Sequence, residues 1–204
     1  MEQCKESEMN SVVLPNFPGG DLSVQSGAII NPSIVLREGW VRPFEGNPVI
    51  ITDLNDGECA LQQNGIDLRL DSIDIAEGGS IFTLYKKSDQ HCKYYNLESD
   101  ATNNFTFFPG HQYGINFMEW VEVPERTCAY IFMRSSINRY SGTFFSALWD
   151  SGFKGRLGGV FRPSVTTIIE RGYRIAQIVF FKSDSHRLYD GQYQGQKTHQ
   201  QGEK

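Results

Sequence analysis

Short apolar runs, separated by clusters of glycine, proline, asparagine and aspartate, recur along the whole chain. Apolar and polar residues alternate in Gly65–Leu70, and β-branched or aromatic residues dominate the runs Val49–Thr52, Ile81–Tyr85, Tyr113–Val123, Ala129–Met133, Thr143–Leu148 and Ile175–Phe181. Such runs are typical of strands, and their near-regular spacing favours a sandwich or barrel. The pattern therefore predicts an all-β fold.

Helical periodicity is nearly absent, and only Leu22–Ala28 or Ser136–Tyr140 suits a short helix. Residues 1–20 are charged and polar before prolines and glycines break any regular element, which predicts a flexible N-terminal arm. The tail, residues 184–204, is polar and lacks the apolar side chains to pack unaided. We expect one domain over residues 21–183 and a C-terminal arm that is either disordered or ordered by a ligand or neighbour.

Composition and charge narrow the possible functions. The chain is 39% hydrophobic, enough for a packed core, and its net charge of −5 argues against binding a nucleic-acid polymer. A small phosphorylated ligand remains possible, because a pocket needs only a few donors. No apolar run reaches membrane-spanning length, and Cys4, Cys59, Cys92 and Cys128 show no C-x-x-C spacing. We expect a cytoplasmic protein with reduced thiols and no membrane partner.

Several common catalytic motifs are missing from the sequence. It contains no Walker loop, no G-x-G-x-x-G, no H-E-x-x-H and no G-x-S-x-G. The zinc deaminase pattern, H-x-E followed by P-C-x-x-C, is absent as well. The chemistry of this chain is therefore not expected to use a protein-ligated zinc.

Two of four local clusters combine a strand with a polar turn. In Gln62–Leu68, a glycine precedes a strand that carries Asp67, which is either an aimed carboxylate or part of an ordinary hairpin. In Met133–Arg139, an apolar strand stops at Arg134-Ser135-Ser136, whose hydroxyls and backbone N–H groups suit an anion. A plain serine N-cap with solvated arginines is the alternative.

The other two clusters place single polar residues at the end or inside of apolar strands. In Ala147–Gly155, Asp150 enters a glycine-flanked turn three residues before Phe153. An aspartate before a turn is often turn chemistry alone, but the aromatic spacing places a ring near the same pocket. In Gly172–Phe181, Gln177 interrupts a buried strand and needs a partner, either a neighbouring chain's backbone or a ligand.

Together and in this order, the clusters resemble the dUTPase and dCTP deaminase superfamily, most closely its archaeal and viral deaminase-like dUTP diphosphatases. The shared motifs are RSS…R, WDSGFKGR, RIAQIVFF and GQYQGQ, and the resemblance covers residues 62–197. It implies a distorted, jelly-roll-like β-barrel of the trimeric dUTPase type with few short helices. It also implies active sites at the subunit interfaces of a homotrimer and a C-terminal arm that closes over the nucleotide.

The resemblance implies roles for individual residues. Asp150 matches the aspartate that activates the attacking water, and Phe153 matches the aromatic ring beneath the deoxyribose. The other positions that match substrate-binding residues are Arg134, Ser135, Ser136, Arg139, Gln177, Tyr193, Gln196 and Lys197. Asp67 matches a carboxylate that helps to hold hydrated Mg²⁺ through water, while the triphosphate holds the ion chiefly.

The implied activity is the Mg²⁺-dependent hydrolysis of dUTP to dUMP and pyrophosphate. Deaminases of the superfamily carry a catalytic glutamate ten residues after the aspartate, and here that position is Val160. Valine cannot shuttle protons to a cytosine amino group, so deamination should be lost. Two alternatives stay open: a dCTP deaminase, alone or bifunctional, and a catalytically weak relative that regulates by binding a nucleotide or a protein.

Overall fold

The computed structural model describes residues 27–77, 83–85, 88–90 and 94–197, and the predicted N-terminal arm lies outside them. The described helices are α1 (Pro32–Arg37) and α2 (Ser135–Tyr140). The strands are β1 (Val41–Pro43), β2 (Ile66–Ala76), β3 (Thr83–Tyr85), β4 (Ser88–Gln90), β5 (Tyr94–Leu97), β6 (Asn104–Phe107), β7 (Tyr113–Glu122), β8 (Thr127–Met133), β9 (Gly142–Phe145), β10 (Lys154–Pro163), β11 (Thr167–Glu170) and β12 (Arg174–Lys182).

One antiparallel sheet organises the domain, with strand order β8-β12-β2-β7-β10-β9. β1 also pairs with β7, β5 also pairs with β2, and β6 pairs with β11 in a separate two-stranded sheet. The large sheet nearly closes into a barrel, because Trp149 exchanges two backbone hydrogen bonds of 2.9 Å with Ala129 of β8. The predicted all-β, barrel-like class is confirmed.

The core is formed by the long strands, but β2 is buried on both faces. Its residues Ile66, Leu68 and Leu70 are fully buried, and so are its acids Asp67 and Asp71 at 1% and 9% exposure. The alternation of apolar and polar residues in the sequence predicts a strand with one exposed face. This prediction is wrong, because the polar face of β2 is buried as well. Burial of the acidic face is possible because arginine side chains from other strands pair with both carboxylates.

Two predicted strands differ from the structure. Val49–Thr52 forms no strand, because the carbonyl groups of Pro48 and Val49 accept hydrogen bonds from the Arg69 guanidinium at 2.7 and 3.1 Å. The run Thr143–Leu148 is a strand only up to Phe145. Beyond Phe145, the Ser146 hydroxyl donates a hydrogen bond to the Ala147 carbonyl at 2.9 Å and accepts one from Trp149 Nε1 at 3.2 Å.

One of the two helix predictions matches a described helix. Ser136–Tyr140 falls within α2, whereas residues 22–26 of the other candidate lie outside the described part of the chain and residues 27–28 are not helical. Helix α1 was not predicted. It begins because the Asn31 side chain accepts a hydrogen bond from Ser33 N–H and Pro32 occupies the first turn.

Two of the four cysteines lie within the described residues. Cys59 and Cys128 are free thiols, and Cys4 and Cys92 lie outside the described residues. Within the described ranges, no helix is long and apolar enough to cross a membrane.

Candidate active site

Asp150 lies in a tight turn between Trp149 and the start of β10. The N–H of Phe153 donates to the Asp150 carbonyl at 3.1 Å, and Gly152 has the positive φ of 87° that a type II turn needs at its third position. The hydroxyl of Ser151 donates to the Thr127 carbonyl, which ties the turn to β8. Asp150 itself is exposed, so a rigid turn presents this residue to solvent.

Phe153 is buried directly behind this turn, with 2% of its surface exposed. Its ring centroid lies 4.8 Å from that of Trp149 and 5.7 Å from that of Tyr189. A Cβ atom on Gly155 would lie 2.7 Å from Phe153 Cζ, so no larger residue fits beside the ring. The ring that matches the sugar platform is therefore covered by side chains of its own chain.

The C-terminal arm, residues 184–197 of the described chain, lies along the start of β10. Gly195 N–H donates to the Lys154 carbonyl at 2.8 Å, and Arg156 N–H donates to the Gln196 carbonyl at 2.8 Å. Gln196 Nε2 returns a bond to the Arg156 carbonyl at 2.9 Å, which leaves Gln196 buried. Tyr193 and Lys197 are exposed. Hydrogen bonds to the same chain, together with the packing of Tyr189 on Phe153, order this polar segment.

A second group of predicted residues surrounds Asp67. The Asp67 carboxylate lies 3.1 Å from Arg174 Nη1 and 3.4 Å from Arg134 Nε, and Gln177 Nε2 donates to it at 3.4 Å. Burial raises the pKa of Asp67, while the two guanidinium groups act in the opposite direction. Gln177 thus finds the partner that a half-buried amide needs within its own chain.

Strand register builds this second group. Gln177 of β12 stands opposite Asp67 of β2, and a Cβ atom on Gly65 would lie 2.5 Å from the Ile178 carbonyl oxygen. Only glycine permits this approach. Arg134 connects the group to α2, because its N–H donates to the Ile175 carbonyl and its Nη1 to the Arg174 carbonyl, both at 3.0 Å.

Ser135 and Ser136 follow immediately as the first two residues of α2, and Arg139 lies in its last turn. All three residues are exposed. The hydroxyl groups therefore stand at the surface beside the group formed by Asp67 and Arg134.

The donor set does not fit a magnesium ion held by protein ligands. Within the described residues there is no group of three His, Cys, Asp or Glu side chains that suits a metal ion. The Asp67 carboxylate, which the resemblance places near the ion, is buried and engaged by two guanidinium groups. An ion carried by the triphosphate itself needs no such cluster, since Mg²⁺ keeps several waters and substrate oxygens as ligands.

The predicted residues thus fall into two groups at opposite ends of β8. Asp150 and Phe153 lie near Thr127, where β8 begins, and Arg134 follows Met133, where it ends. At roughly 3.3 Å per strand residue, about 20 Å separates the groups. Val160 lies on β10 opposite Gly114 and Phe145. The structure brings the members of each group together, but it does not bring the two groups together within one chain.

Arg174 is the main residue that the sequence did not single out. It binds Asp67 and also donates to the carbonyl groups of Cys59 and Gly57, the latter at 2.7 Å. The sequence provides only an indirect indication: an acid on a buried strand requires a cation, and Arg174 stands at the start of the apolar run that forms β12, the partner strand of β2. Nothing in the sequence singled it out as that cation.

The chain thus combines an antiparallel barrel with an exposed aspartate turn and a separate serine turn, as the motifs in the sequence predicted. A family model described as dCTP deaminase-like matches residues 45–183, and the chain belongs to this family. The match spans all four local clusters and confirms the resemblance, whereas the GQYQGQ motif of the arm lies beyond it.

Curated relatives carry two kinds of name. The chain is 33% identical over 140 residues to a probable deoxyuridine 5′-triphosphate nucleotidohydrolase of Halobacterium salinarum, covering 68% of this chain and 85% of the relative. It is 30% identical over 142 residues to the deoxyuridine 5′-triphosphate nucleotidohydrolase of Methanocaldococcus jannaschii, covering 68% and 89%. A dCTP deaminase of Acidianus ambivalens is 26% identical, covering 79% and 88%.

Among solved structures, 2′-deoxycytidine 5′-triphosphate deaminase from Agrobacterium tumefaciens superposes with a TM-score of 0.55 at 17% identity. The superposition covers 78% of this chain and about half, 49%, of that chain. At this identity the likeness establishes a common fold.

Proposed function

We propose that this chain is a dUTP diphosphatase, which hydrolyses dUTP with Mg²⁺ to dUMP and pyrophosphate. The single observation that carries the proposal is Asp150, an exposed residue held in a rigid turn at the position of the water-activating aspartate. Relatives that are 30 to 33% identical and named as deoxyuridine triphosphate nucleotidohydrolases support the substrate.

In the proposed reaction, the Asp150 carboxylate accepts a hydrogen bond from water and takes its proton as the oxygen attacks the α-phosphorus. A P–O bond forms to this oxygen, and the bond from the α-phosphorus to the bridging oxygen breaks to release pyrophosphate. Mg²⁺, bound by the triphosphate as part of the substrate, supplies charge neutralisation. Ser135, Ser136 and Lys197 donate to the phosphates, which stabilises the developing negative charge.

The remaining matched residues position the nucleotide. Arg134 orients the serine turn through its hydrogen bonds to β12. Arg139 lies near the base, and Gln177 contacts the nucleotide across the subunit interface. Phe153 supports the deoxyribose, and Tyr193 and Gln196 belong to the closing arm. Because Tyr189 covers Phe153 in this conformation, the arm must shift before a sugar rests on the ring.

We further propose that a homotrimer shares each site between subunits. The separation of the Asp150 group from the Asp67 group along β8 supports this, since one chain cannot apply both groups to a single nucleotide. Exposed apolar side chains on the outer surface support association as well: Phe132 is 47%, Phe145 52% and Leu148 56% exposed.

Val160 argues against the deaminase alternative. It provides no carboxylate where the deaminases of the superfamily carry their catalytic glutamate, and its neighbours in register, Gly114 and Phe145, provide none either. A protein that only binds a nucleotide does not need a water-activating aspartate. A substitution at Asp150 therefore distinguishes the diphosphatase from the regulatory alternative.

Asp150→Asn tests the proposal. The amide keeps the shape but cannot take the proton, so we expect pyrophosphate release to fall by about 10²- to 10⁴-fold, with dUTP binding by calorimetry retained. Asp53→Asn, the same change at an exposed residue outside both groups and outside the arm, is the matched control. Equal hydrolysis by both variants would refute the role of Asp150, and binding without hydrolysis by the unmodified chain would favour a regulator.

A further inference from the structure

A recess distinct from the Asp150 turn lies between the segment 46–60 and the turn at 171–174. Its volume is about 420 Å³, within the range of small-molecule sites. Three arginines, Arg69, Arg171 and Arg174, line it together with the amides of Asn47 and Asn103. Apolar walls come from Ile51 and Met118.

Positive charge is in excess beside this recess. Asp71 is shared by two guanidinium groups, those of Arg156 and Arg171, and Asp67 is likewise shared by Arg134 and Arg174. The Asp71 group therefore carries one positive charge in excess, and in the Asp67 group the second guanidinium charge is offset only by an exposed acid. The acid in the lining, Glu58, has a side chain that is 71% exposed and lies 3.7 Å from Arg174 Nε, so solvent screens it.

Donor groups also remain for a ligand. A guanidinium has five N–H donors, and Arg171 uses its Nε and Nη2 for Asp71 while 44% of its side chain is exposed. Within the described residues, the buried Nε of Arg174 has no hydrogen-bond partner. Arg69 is fixed by Glu119, Pro48 and Val49, so the wall that it forms is preorganised.

We infer that this recess binds a small phosphate monoester whose organic part is compact and apolar. The excess guanidinium charge beside the recess matches an anionic phosphate group, and planar N–H pairs suit its oxygens. Ile51 and Met118 provide contacts for the apolar part. The inference does not depend on the proposed dUTP hydrolysis, because the Asp71 group and the lining residues other than Arg174 lie outside both groups that would contact dUTP.

Calorimetry on the full chain with phenyl phosphate tests this inference, with phenol as the neutral control. We expect phenyl phosphate to bind and phenol not to bind. Asn103→Asp places a negative charge in the wall without a change in shape, and aspartate tolerates the backbone φ of 62° found there. This variant should weaken binding about tenfold. Asn31→Asp, the same change at the N-cap of α1, should leave it unaltered.

A further variant separates this recess from the nucleotide site. Phenyl phosphate binding should persist in Ser135→Ala, and dUTP turnover should persist in Asn103→Asp. Loss of phenyl phosphate binding in Ser135→Ala but not in Asn103→Asp would place the probe in the nucleotide site and overturn the inference. An absence of binding to the unmodified chain would overturn it as well, whether or not dUTP is hydrolysed.

Discussion

Glu119 is a buried acid whose ionisation matters for stability rather than for the proposed chemistry. Its side chain is fully buried and its Oε1 lies 2.7 Å from Arg69 Nε, while Arg69 N–H donates to Oε2 at 3.0 Å. Burial raises the pKa of Glu119 from 4.5 to about 7, although Arg69 opposes the rise. Burial thus outweighs the ion pair at this position.

The raised pKa predicts a pH dependence of stability. Because the folded-state pKa of Glu119 lies above the unfolded value, its contribution is complete below about pH 4.5 and is lost as the pH rises through about 7. Glu119→Gln should therefore flatten the decline of Tm between about pH 5 and pH 8. Thermal melts across this range measure it, with Glu125→Gln at an exposed site as the control. Identical slopes for Glu119→Gln and the unmodified chain would contradict the assignment.

At the residue scale, chemistry-bearing side chains were predictable but their partners were not. Asp150, Ser135 and Ser136 stand out because turn residues interrupt apolar runs. Arg174 did not stand out, because it lies 107 positions after Asp67 and only the pairing of β2 with β12 brings the two side chains together. Ion pairs of this kind depend on strand register, which a single sequence does not reveal.

At the scale of the element, strands were predictable where apolar residues form a continuous run. The predictions over β7, β8 and β12 are confirmed, but β10 was not among the predicted strands. Gly155, Gly158 and Gly159 interrupt its pattern, and glycine carries no signal for a strand. A close approach explains one of them: a Cβ atom on Gly159 would lie 2.2 Å from Phe144 Cζ.

Gly155 predicts a test of the C-terminal arm. In Gly155→Ala the new methyl group would lie 2.7 Å from Phe153 Cζ and 3.2 Å from Gln196 Cγ. We therefore expect the arm to lose its contacts with β10. Residues 184–197 should become more sensitive to limited proteolysis, and dUTP turnover should fall about tenfold or more. Gly57→Ala is the matched control, because nothing lies within 4 Å of the added methyl group. Unchanged proteolysis in Gly155→Ala would show that the arm is not held there.

At the scale of the whole molecule, the order of the motifs identified the family, but it did not indicate which motifs meet within one chain. The structure places the Asp150 turn and the serine turn at opposite ends of β8. Sharing between subunits is therefore a prediction about assembly, and it is open to a complementation experiment.

Mixed trimers provide that experiment. One chain carries Asp150→Asn and the other carries Ser135→Ala with Ser136→Ala, so each homotrimer should be inactive. If each site takes Asp150 from one subunit and the serines from a neighbour, random mixing should restore about a quarter of the original activity. Two Asp150→Asn preparations mixed together serve as the control. No recovery in the mixture would indicate that each site belongs to one chain.

The most direct test of the central claim is a panel of deoxynucleoside triphosphates incubated with Mg²⁺ and the unmodified chain, with pyrophosphate followed and the nucleotide products resolved. We predict dUMP and pyrophosphate from dUTP, and neither deamination nor hydrolysis of dCTP. Formation of dUTP or dUMP from dCTP would contradict the claim that Val160, in place of a glutamate, abolishes deamination. Tight binding of dUTP with no product from any substrate would contradict the assignment as a diphosphatase.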